Sequence, residues 1–142
     1  MLTVADIMTT KVVTLNQLNT MKNAHDLSKA KGIRHLPIVN NETQELMGVV
    51  TQKAMIARVI SILTQYGIDA LNEQEMKTLA IDIADTEFVS VYPEQDVQEV
   101  ATFFLNNKHG CLPCIDTDNK LVGIISSSDF VKLSIRLLDR QD

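Results

Sequence analysis

The chain has 142 residues, of which 45% are hydrophobic, and its 13 basic and 18 acidic side chains give a net charge of −5. This length and composition suit one compact domain or two closely packed halves and exclude an intrinsically disordered chain. The negative charge argues against non-specific nucleic-acid binding, which needs a basic surface. The N-terminus has no signal-peptide pattern, and no apolar run approaches the ~20 residues of a membrane-spanning helix. We therefore expect a soluble, cytoplasmic protein that binds neither membranes nor nucleic acid.

A tandem repeat organises the sequence. A shift of 76 residues aligns Asp6-Ile7 with Asp82-Ile83. After one extra loop residue in the first copy, a shift of 75 aligns Gly48-Val-Val-Thr51 with Gly123-Ile-Ile-Ser126. The register holds across most of each half, which indicates a duplication. The predicted divisions are a first repeat over residues 1–65, a connecting turn and short helix over 66–80, and a second repeat over 81–142.

Taken in chain order, the first repeat predicts a β-α-β-β-α unit. Its elements are a strand at Val12–Leu15, a helix from about Leu18 to Lys31, strands at Leu36–Val39 and Leu46–Thr51, and a helix at Gln52–Gln65. The strands are runs of β-branched and apolar residues. Apolar residues at three-residue spacing from Leu18 to Leu27 predict the buried stripe of the first helix, and Gly32 predicts its end.

The second repeat has the same order of elements. They are a strand at Phe88–Val91, a helix opened by Pro93–Asp96, strands at Cys111–Ile115 and Leu121–Ser126, and a helix from about Ser127 to Leu138. A proline and acidic residues suit the first turn of a helix. Between the repeats, a turn and one short helix at Glu73–Leu79 are predicted. The sequence therefore predicts an α/β protein of the α+β kind, built from two copies of one unit.

Two cysteines stand close together as Cys111-Leu-Pro-Cys114. This spacing occurs in redox pairs and in halves of metal sites. Here no second pair completes a ligand set, and the segment is predicted as a strand and not as the start of a helix, which would lower a thiol pKa. We interpret both cysteines as small buried apolar residues and predict no metal site.

The helices that follow the two hairpins carry more apolar residues than one core-facing stripe needs. These residues are Met55, Ile56, Val59, Ile60 and Leu63 in the first helix, and Phe130, Val131, Leu133, Ile135, Leu137 and Leu138 in the second. One side of each helix can pack within the chain, and a second subunit can cover the other side. The sequence therefore predicts a homodimer.

Short motifs recur in the same order in both copies. The first copy carries Asp6-Ile-Met-Thr9, Arg34-His-Leu-Pro-Ile-Val39 and Gly48-Val-Val-Thr51, and the second carries Phe88-Val-Ser-Val91, Leu112-Pro113 and Gly123-Ile-Ile-Ser-Ser-Ser-Asp129. This doubled set resembles a pair of CBS domains, also called a Bateman module, over about residues 4–138. The chain departs from the usual pattern at Ala54, Ala84 and Asp85. The resemblance implies two pseudo-symmetric repeats packed sheet to sheet with helices outside, and a regulatory protein that is not an enzyme.

The resemblance also implies a ligand. CBS pairs bind adenosine-containing molecules such as AMP, ADP, ATP or S-adenosylmethionine in two clefts between the repeats. Carried onto this chain, one cleft combines Met8, Lys11, Val13, Ile33, Arg34, Ser126, Ser128 and Asp129. A carboxylate at Asp129 suits the vicinal hydroxyls of a ribose, as an acid does in dinucleotide-binding folds. Val13 and Ile33 suit a purine face, while Lys11 and Arg34 suit phosphate.

The opposite cleft differs in its charges. It combines Thr51, Lys53 and Ala54 with Ala84, Glu87, Val89, His109 and Gly110. Ala54 stands in the position of the ribose acid. Glu87 stands where the first cleft has Lys11, and a carboxylate repels phosphate. We therefore expect one functional nucleotide site per chain and one empty or weak site.

Two alternatives stay open from the sequence. Ser126 and Asp129 are also spaced as a helix capping box, which alone accounts for both residues. If both clefts are vestigial, the chain is a structural dimerisation scaffold. No nucleophile paired with a base and no phosphate-binding glycine loop point to an enzyme. A regulatory signal would pass through the homodimer or through an effector protein that the sequence does not name.

Overall fold

The structure, a computed structural model, describes residues 1–140. In chain order its elements are α1 (Val4–Ile7), α2 (Met21–Lys31), β1 (His35–Val39), β2 (Leu46–Thr51), α3 (Gln52–Tyr66), α4 (Leu71–Lys77), α5 (Val97–Asn106), β3 (Cys111–Ile115), β4 (Leu121–Ser126) and α6 (Ser127–Asp139). Short 3-10 turns lie at Ile68–Ala70 and Ala80–Ile83. β1 pairs with β2 and β3 with β4, each pair antiparallel. These hairpins and helices confirm the predicted mixed α/β class.

Contacts divide the chain into two compact units. The central unit is Val13–Phe88, and the terminal unit joins Met1–Val12 to the chain from Val89 onward. The units do not coincide with the sequence repeats, because the first residues of each repeat belong to the unit that holds the hairpin of the other. The repeat boundaries at 1–65 and 81–142 stay a prediction about the sequence.

These first residues, with Ala80 just before the second repeat, form two leading segments: Met1–Val12 in the terminal unit and residues 80–88 in the central unit. Backbone hydrogen bonds hold both segments in the same way. In the terminal unit, the Val4 N–H donates to the Gln95 carbonyl at 2.9 Å. In the central unit, the Ala80 N–H donates to the Asn19 carbonyl, also at 2.9 Å. Val4 and Ala80 are both fully buried. Each unit therefore includes a leading segment as part of its core.

Each unit buries its own apolar cluster. The buried residues of the central cluster are Leu15, Ala24, Leu36, Ile38, Val50, Met55 and Ala80. Those of the terminal cluster are Val4, Val91, Val100, Leu112, Cys114 and Ile125. In both units, residues of the hairpin and of the flanking helices supply the cluster, as the apolar runs in the sequence predict.

The strands predicted at Val12–Leu15 and Phe88–Val91 are wrong, because each segment forms only one parallel bridge. Leu15 pairs with Ile38, and Val91 pairs with Cys114. The Leu15 N–H donates to the Pro37 carbonyl at 2.9 Å. A second bridge in this parallel pairing would need an N–H from Pro37, which a proline lacks. Pro113 interrupts the second ladder in the same way.

The start predicted for the first long helix is also wrong. α2 begins at Met21 because Thr20 caps it: the Thr20 N–H donates to Asn23 Oδ1 at 2.8 Å, and the Asn23 N–H donates to Thr20 Oγ1 at 3.2 Å. Leu18, predicted to be buried, lies before this cap and is 70% exposed. The predicted end is confirmed, since Gly32 follows Lys31 with φ of 64°.

Two further helix bounds need correction. α5 begins at Val97, not at Pro93, because Asp96 is its cap and accepts a hydrogen bond from the Gln98 N–H at 3.0 Å. The short connecting helix is Leu71–Lys77 and not Glu73–Leu79. Among the described residues no single helix has the length and hydropathy to cross a membrane, and only a pair bent by 119°, α3 with the turn and helix after it, meets that test jointly.

Candidate ligand site

The start of α6 places a buried carboxylate beside two serine hydroxyls. Asp129 is only 4% exposed. Its Oδ2 accepts hydrogen bonds from the Ser126 N–H at 2.8 Å and from the Ser126 hydroxyl at 3.3 Å. The hydroxyls of Ser126 and the exposed Ser128 lie 2.7 Å apart. This group offers a charged acceptor and two hydroxyls at a helix N-terminus, where free N–H groups favour negative charge.

Thr9 is a partner of Asp129 that the sequence did not predict. Its hydroxyl donates to Asp129 Oδ1 at 3.0 Å. Thr9 also pairs with Ile124 of β4: its N–H donates to the Ile124 carbonyl at 2.8 Å, and the Ile124 N–H donates back at 2.9 Å. The contact spans 120 residues of sequence, and its only sequence signal is the place of Thr9 at the end of the Asp6-Ile-Met-Thr9 motif.

Met8 and Lys11 belong to the same unit as Asp129. The side chain of Met8 covers Gly123, so that a Cβ added there would lie 2.7 Å from the Met8 sulfur. Lys11 is exposed. Five of the eight predicted ligand residues thus lie in the terminal unit: Met8 and Lys11 in its leading segment, and Ser126, Ser128 and Asp129 at the start of α6.

The other three predicted ligand residues lie in the central unit. Val13 and Ile33 both pack against the central apolar cluster. Ile33 and the exposed Arg34 also line a groove of about 460 Å³ between α2 and α3. The roles of these three residues toward a ligand stay a prediction.

The counterpart of Asp129 confirms that a helix here can be capped without an acid. At the start of α3, the Ala54 N–H donates to Thr51 Oγ1 at 3.1 Å. Glu87 and Ala84, predicted for the opposite cleft, lie in the same unit as Ala54, and Glu87 is exposed. In the other unit, the rings of His109 and Phe103 stack with centroids 5.4 Å apart.

His35 gives the protein a testable pH dependence. Burial, and then the charge of Arg34, lower the pKa of the His35 imidazole below its usual 6.5. The folded state therefore favours neutral His35. As pH falls below the pKa of His35 in the unfolded chain, the unfolded state binds a proton more readily than the folded state, so the free energy of unfolding decreases. We expect the free energy of unfolding to decrease less between pH 7.5 and pH 5.5 in His35→Gln than in the wild type. Urea denaturation at both values measures this difference, and equal decreases would contradict the assignment.

The two cysteines are poor nucleophiles in this environment. Burial, and then the charge of Asp129, raise the pKa of Cys111 to about 11, and burial with the charge of Glu94 raises that of Cys114 to about 11. A rise of this size lowers the thiolate fraction at neutral pH about a hundredfold. We expect iodoacetamide to modify both cysteines far more slowly in native protein than in urea, as measured by mass spectrometry. Equal rates would contradict this expectation.

Comparison with known proteins identifies the family. A family model for the CBS domain matches residues 4–61 and again residues 80–136. The chain is a pair of CBS domains. This CBS pair is similar to the crystal structure of AcuB from Vibrio cholerae, a protein provisionally assigned to acetoin utilization. The two share 35% identity with a TM-score of 0.83, over 99% of this chain and 96% of that one.

A second solved structure shares the fold at lower identity. CBSX2 from Arabidopsis thaliana, crystallised in complex with AMP, is 22% identical to this CBS pair with a TM-score of 0.80, over 96% of this chain and 98% of that one. At this identity the likeness supports the fold alone.

The first three curated relatives extend well beyond the matched region. A homoserine O-acetyltransferase from Methanosalsum zhilinae is 27% identical over 133 residues, which are 93% of this chain and 24% of that protein. The CBS pair spans 24%, 44% and 42% of the length of the first three curated relatives that it matches. Among residues 1–140, no cluster of histidine, cysteine or acidic side chains could hold a metal ion.

Proposed function

We propose that this CBS pair is a regulatory module, not an enzyme, that binds an adenosine-containing ligand of the AMP, ADP or ATP type, or S-adenosylmethionine. The observation that carries the proposal is the buried Asp129 carboxylate beside the hydroxyls of Ser126 and Ser128. The ligand class comes from the family resemblance, and CBSX2, which shares this fold, was crystallised with a member of that class, AMP. A cytoplasmic location fits both this class and the unpaired cysteines.

In this proposal each residue has a role given by its chemistry. Asp129 accepts hydrogen bonds from the ribose hydroxyls, and the serines bind the same sugar. Lys11 and Arg34 neutralise phosphate, Arg34 through its planar guanidinium group. Met8, Val13 and Ile33 supply apolar contacts to the purine. The family resemblance is what brings residues of the two units into one set.

The comparison of α6 with α3 supports a ligand role for Asp129 over capping alone. Thr51 caps α3 although Ala54 supplies no carboxylate. The fold therefore does not require an acid at this position. An acid that is retained in only one copy is better explained by a function that only one copy performs, in agreement with one nucleotide site per chain.

Isothermal titration with AMP, ADP, ATP and S-adenosylmethionine tests the proposal. We expect saturable binding of at least one of them with a stoichiometry of one per chain. The scaffold alternative rests on Asp129 already having Ser126 and Thr9 as donors, and it predicts no heat with any of the four. Absence of binding to folded protein would therefore contradict the proposed regulatory module and favour the structural dimerisation scaffold.

Thr9 is expected to oppose binding at this site. Its hydroxyl occupies Asp129 Oδ1, so a ribose hydroxyl must replace that hydrogen bond or share the acceptor. Thr9→Val removes the competing donor and keeps the side-chain shape. A hydrogen bond to a carboxylate contributes about 1.5–3 kcal/mol, and part of it would be regained, so we expect AMP to bind about tenfold tighter to Thr9→Val. Weaker binding in a calorimetric titration would instead make Thr9 a direct ligand contact.

We further propose that the CBS pair forms a homodimer through equivalent faces of α3 and α6. Three large apolar residues on each face are exposed by 38% to 63%: Ile56, Ile60 and Leu63 on α3, and Val131, Ile135 and Leu138 on α6. Exposed apolar surface of this kind marks an interaction site. Sedimentation of wild type and Ile60→Glu tests this interface, and a monomeric wild type at micromolar concentration would rule it out. Output then passes through the dimer or an effector protein.

A further inference from the structure

The terminal unit contains a cavity that the proposed nucleotide site does not use. It encloses about 370 Å³ between α5 and the segment Val89–Val91, with Leu112 of β3. This volume is within the range of pockets that hold small organic ligands. None of the lining residues belongs to α3 or α6, which carry the faces proposed for the homodimer. The cavity and the proposed dimer are therefore compatible.

An apolar floor and a polar rim give this cavity the composition of a ligand site. The buried side chains of Val91, Val100 and Leu112 form the floor. Phe103 and Val89 add further apolar surface. The other lining side chains are polar and include no basic group: Ser90, Gln95, Glu99, Thr102, Asn106 and Asn107.

The charge around the cavity is negative. The segment Val89–Asn107 supplies all but one of the lining residues, and it contains Glu94, Asp96 and Glu99 but no lysine, arginine or histidine. Glu99 is the charged residue of the lining, and it is exposed. Within residues 1–140 its carboxylate forms no ion pair and accepts only a long hydrogen bond, from Gln95 Nε2 at 3.4 Å. This carboxylate is therefore available to a cation and repels an anion such as phosphate.

Helix capping does not account for Glu99. The shift of 76 residues aligns Glu99 with Asn23, whose Oδ1 accepts a hydrogen bond from the Thr20 N–H at 2.8 Å in the capping box of α2. α5 is capped instead by Asp96, which accepts a hydrogen bond from the Gln98 N–H at 3.0 Å. The helix dipole favours an acid in this turn, but Asp96 already places one there. The second acid therefore needs a separate explanation.

We propose that this cavity binds a small organic ammonium ion that carries an apolar or aromatic body. The ammonium group meets the Glu99 carboxylate, which accepts a charge-assisted hydrogen bond from it. The body of the ligand lies over Val91, Val100 and Leu112 and displaces water from the cavity. The proposal is independent of nucleotide binding, because none of the eight residues of the proposed nucleotide site lines this cavity.

Calorimetric titration of the full chain with tryptamine tests the proposal. Tryptophol and indole-3-propionate are the controls, since all three carry an indolylethyl group and differ in the charge at its end. We expect one tryptamine per chain, about fivefold tighter binding of tryptamine than of tryptophol, and no binding of indole-3-propionate. Added salt should weaken the binding of tryptamine and leave that of tryptophol unchanged.

Variants locate the site. Glu99→Gln keeps the size of the side chain and should weaken tryptamine about fivefold without changing tryptophol. Glu94→Gln removes the same charge from a residue outside the lining and should change the affinity less than twofold. Asn106→Trp fills the cavity and should abolish binding of both ligands, whereas Leu105→Trp, the neighbouring exposed position outside the lining, should have no effect. Circular dichroism confirms that each variant is folded.

Four results would each overturn the proposal: no binding of tryptamine to the wild type, equal affinities for tryptamine and tryptophol, unchanged tryptamine affinity in Glu99→Gln or Asn106→Trp, or displacement of tryptamine by AMP. Equal affinities would make the cavity a site for neutral ligands, and displacement would place tryptamine in the nucleotide site. Asp129→Ala should bind tryptamine as the wild type does. A failure of nucleotide binding would therefore leave this test intact.

Discussion

Replacement of Asp129 by alanine is expected to weaken AMP binding by at least about a hundredfold while the protein stays folded. The carboxylate would accept hydrogen bonds from two ribose hydroxyls, and a hydrogen bond to a charged group contributes about 1.5–3 kcal/mol. Two such bonds correspond to at least about two orders of magnitude in affinity. The cost in stability is about 2–3 kcal/mol, because the fold loses the hydrogen bond from the Thr9 hydroxyl and a helix cap, at a position where α3 accepts alanine.

Asp6→Ala is the matched control for this prediction. Asp6 caps α1 in the same unit, where its Oδ2 accepts a hydrogen bond from the Thr3 N–H at 2.8 Å, as Asp129 accepts one from Ser126. Asp6→Ala removes the same kind of cap but no hydrogen bond from a second segment, so it should lose somewhat less stability in urea denaturation and keep full AMP affinity in calorimetry. If Asp129→Ala also keeps its affinity, Asp129 is only a capping residue and the proposed site is wrong.

The sequence was sufficient for most of the secondary structure because local chemistry decides it. β2, β3 and β4 match the predicted bounds, and β1 begins one residue earlier. These strands are apolar runs bounded by polar turns, and such patterns are local. The failures have local causes too, namely the missing N–H groups of Pro37 and Pro113 and the stronger cap at Thr20. A prediction that counted the backbone N–H groups available for strand pairing would have rejected the strands at Val12–Leu15 and Phe88–Val91.

The membership of each unit could not be predicted in this way. Asp6-Ile7 and Asp82-Ile83 are alike in sequence, and apolar pattern says that a residue is buried but not which copy buries it. Thr9 illustrates the consequence for the site. Its hydrogen bond to Asp129 follows from the pairing of the first leading segment with β4. In a duplicated sequence, local pattern does not decide whether this segment pairs with the hairpin of its own repeat or of the other.

Gly123→Ala is expected to lower the free energy of unfolding by about 3 kcal/mol. The substitution tests directly whether the first leading segment packs against β4. An added Cβ would lie 2.7 Å from the Met8 sulfur and 2.9 Å from the Thr9 carbonyl oxygen. Contacts this short must be relieved, and overpacking of this kind costs about 1–3 kcal/mol. Because the carbonyl belongs to the backbone, relief requires movement of the whole leading segment.

Gly48→Ala is the matched comparison in the central unit. There the added Cβ would lie 3.1 Å from the Asp85 carbonyl oxygen and 3.2 Å from the Ala84 Cβ, distances that need only a small adjustment. We expect a cost of about 1 kcal/mol from urea denaturation. Met8→Ala in the Gly123→Ala background should recover part of the loss, because it removes the sulfur contact and leaves the carbonyl contact, and a double-mutant cycle measures that coupling.

Hydrogen exchange distinguishes the two leading segments. Thr9 and Ile124 exchange backbone hydrogen bonds in the terminal unit, as Asp85 and Val49 do in the central unit. Gly123→Ala should therefore speed exchange at the Thr9 and Ile124 amides and leave those of Asp85 and Val49 protected, while Gly48→Ala should do the reverse. Faster exchange at Asp85 in Gly123→Ala would mean that each leading segment packs with its own repeat. In that case Thr9 could not reach Asp129, and the expected gain in affinity of Thr9→Val would lose its physical basis.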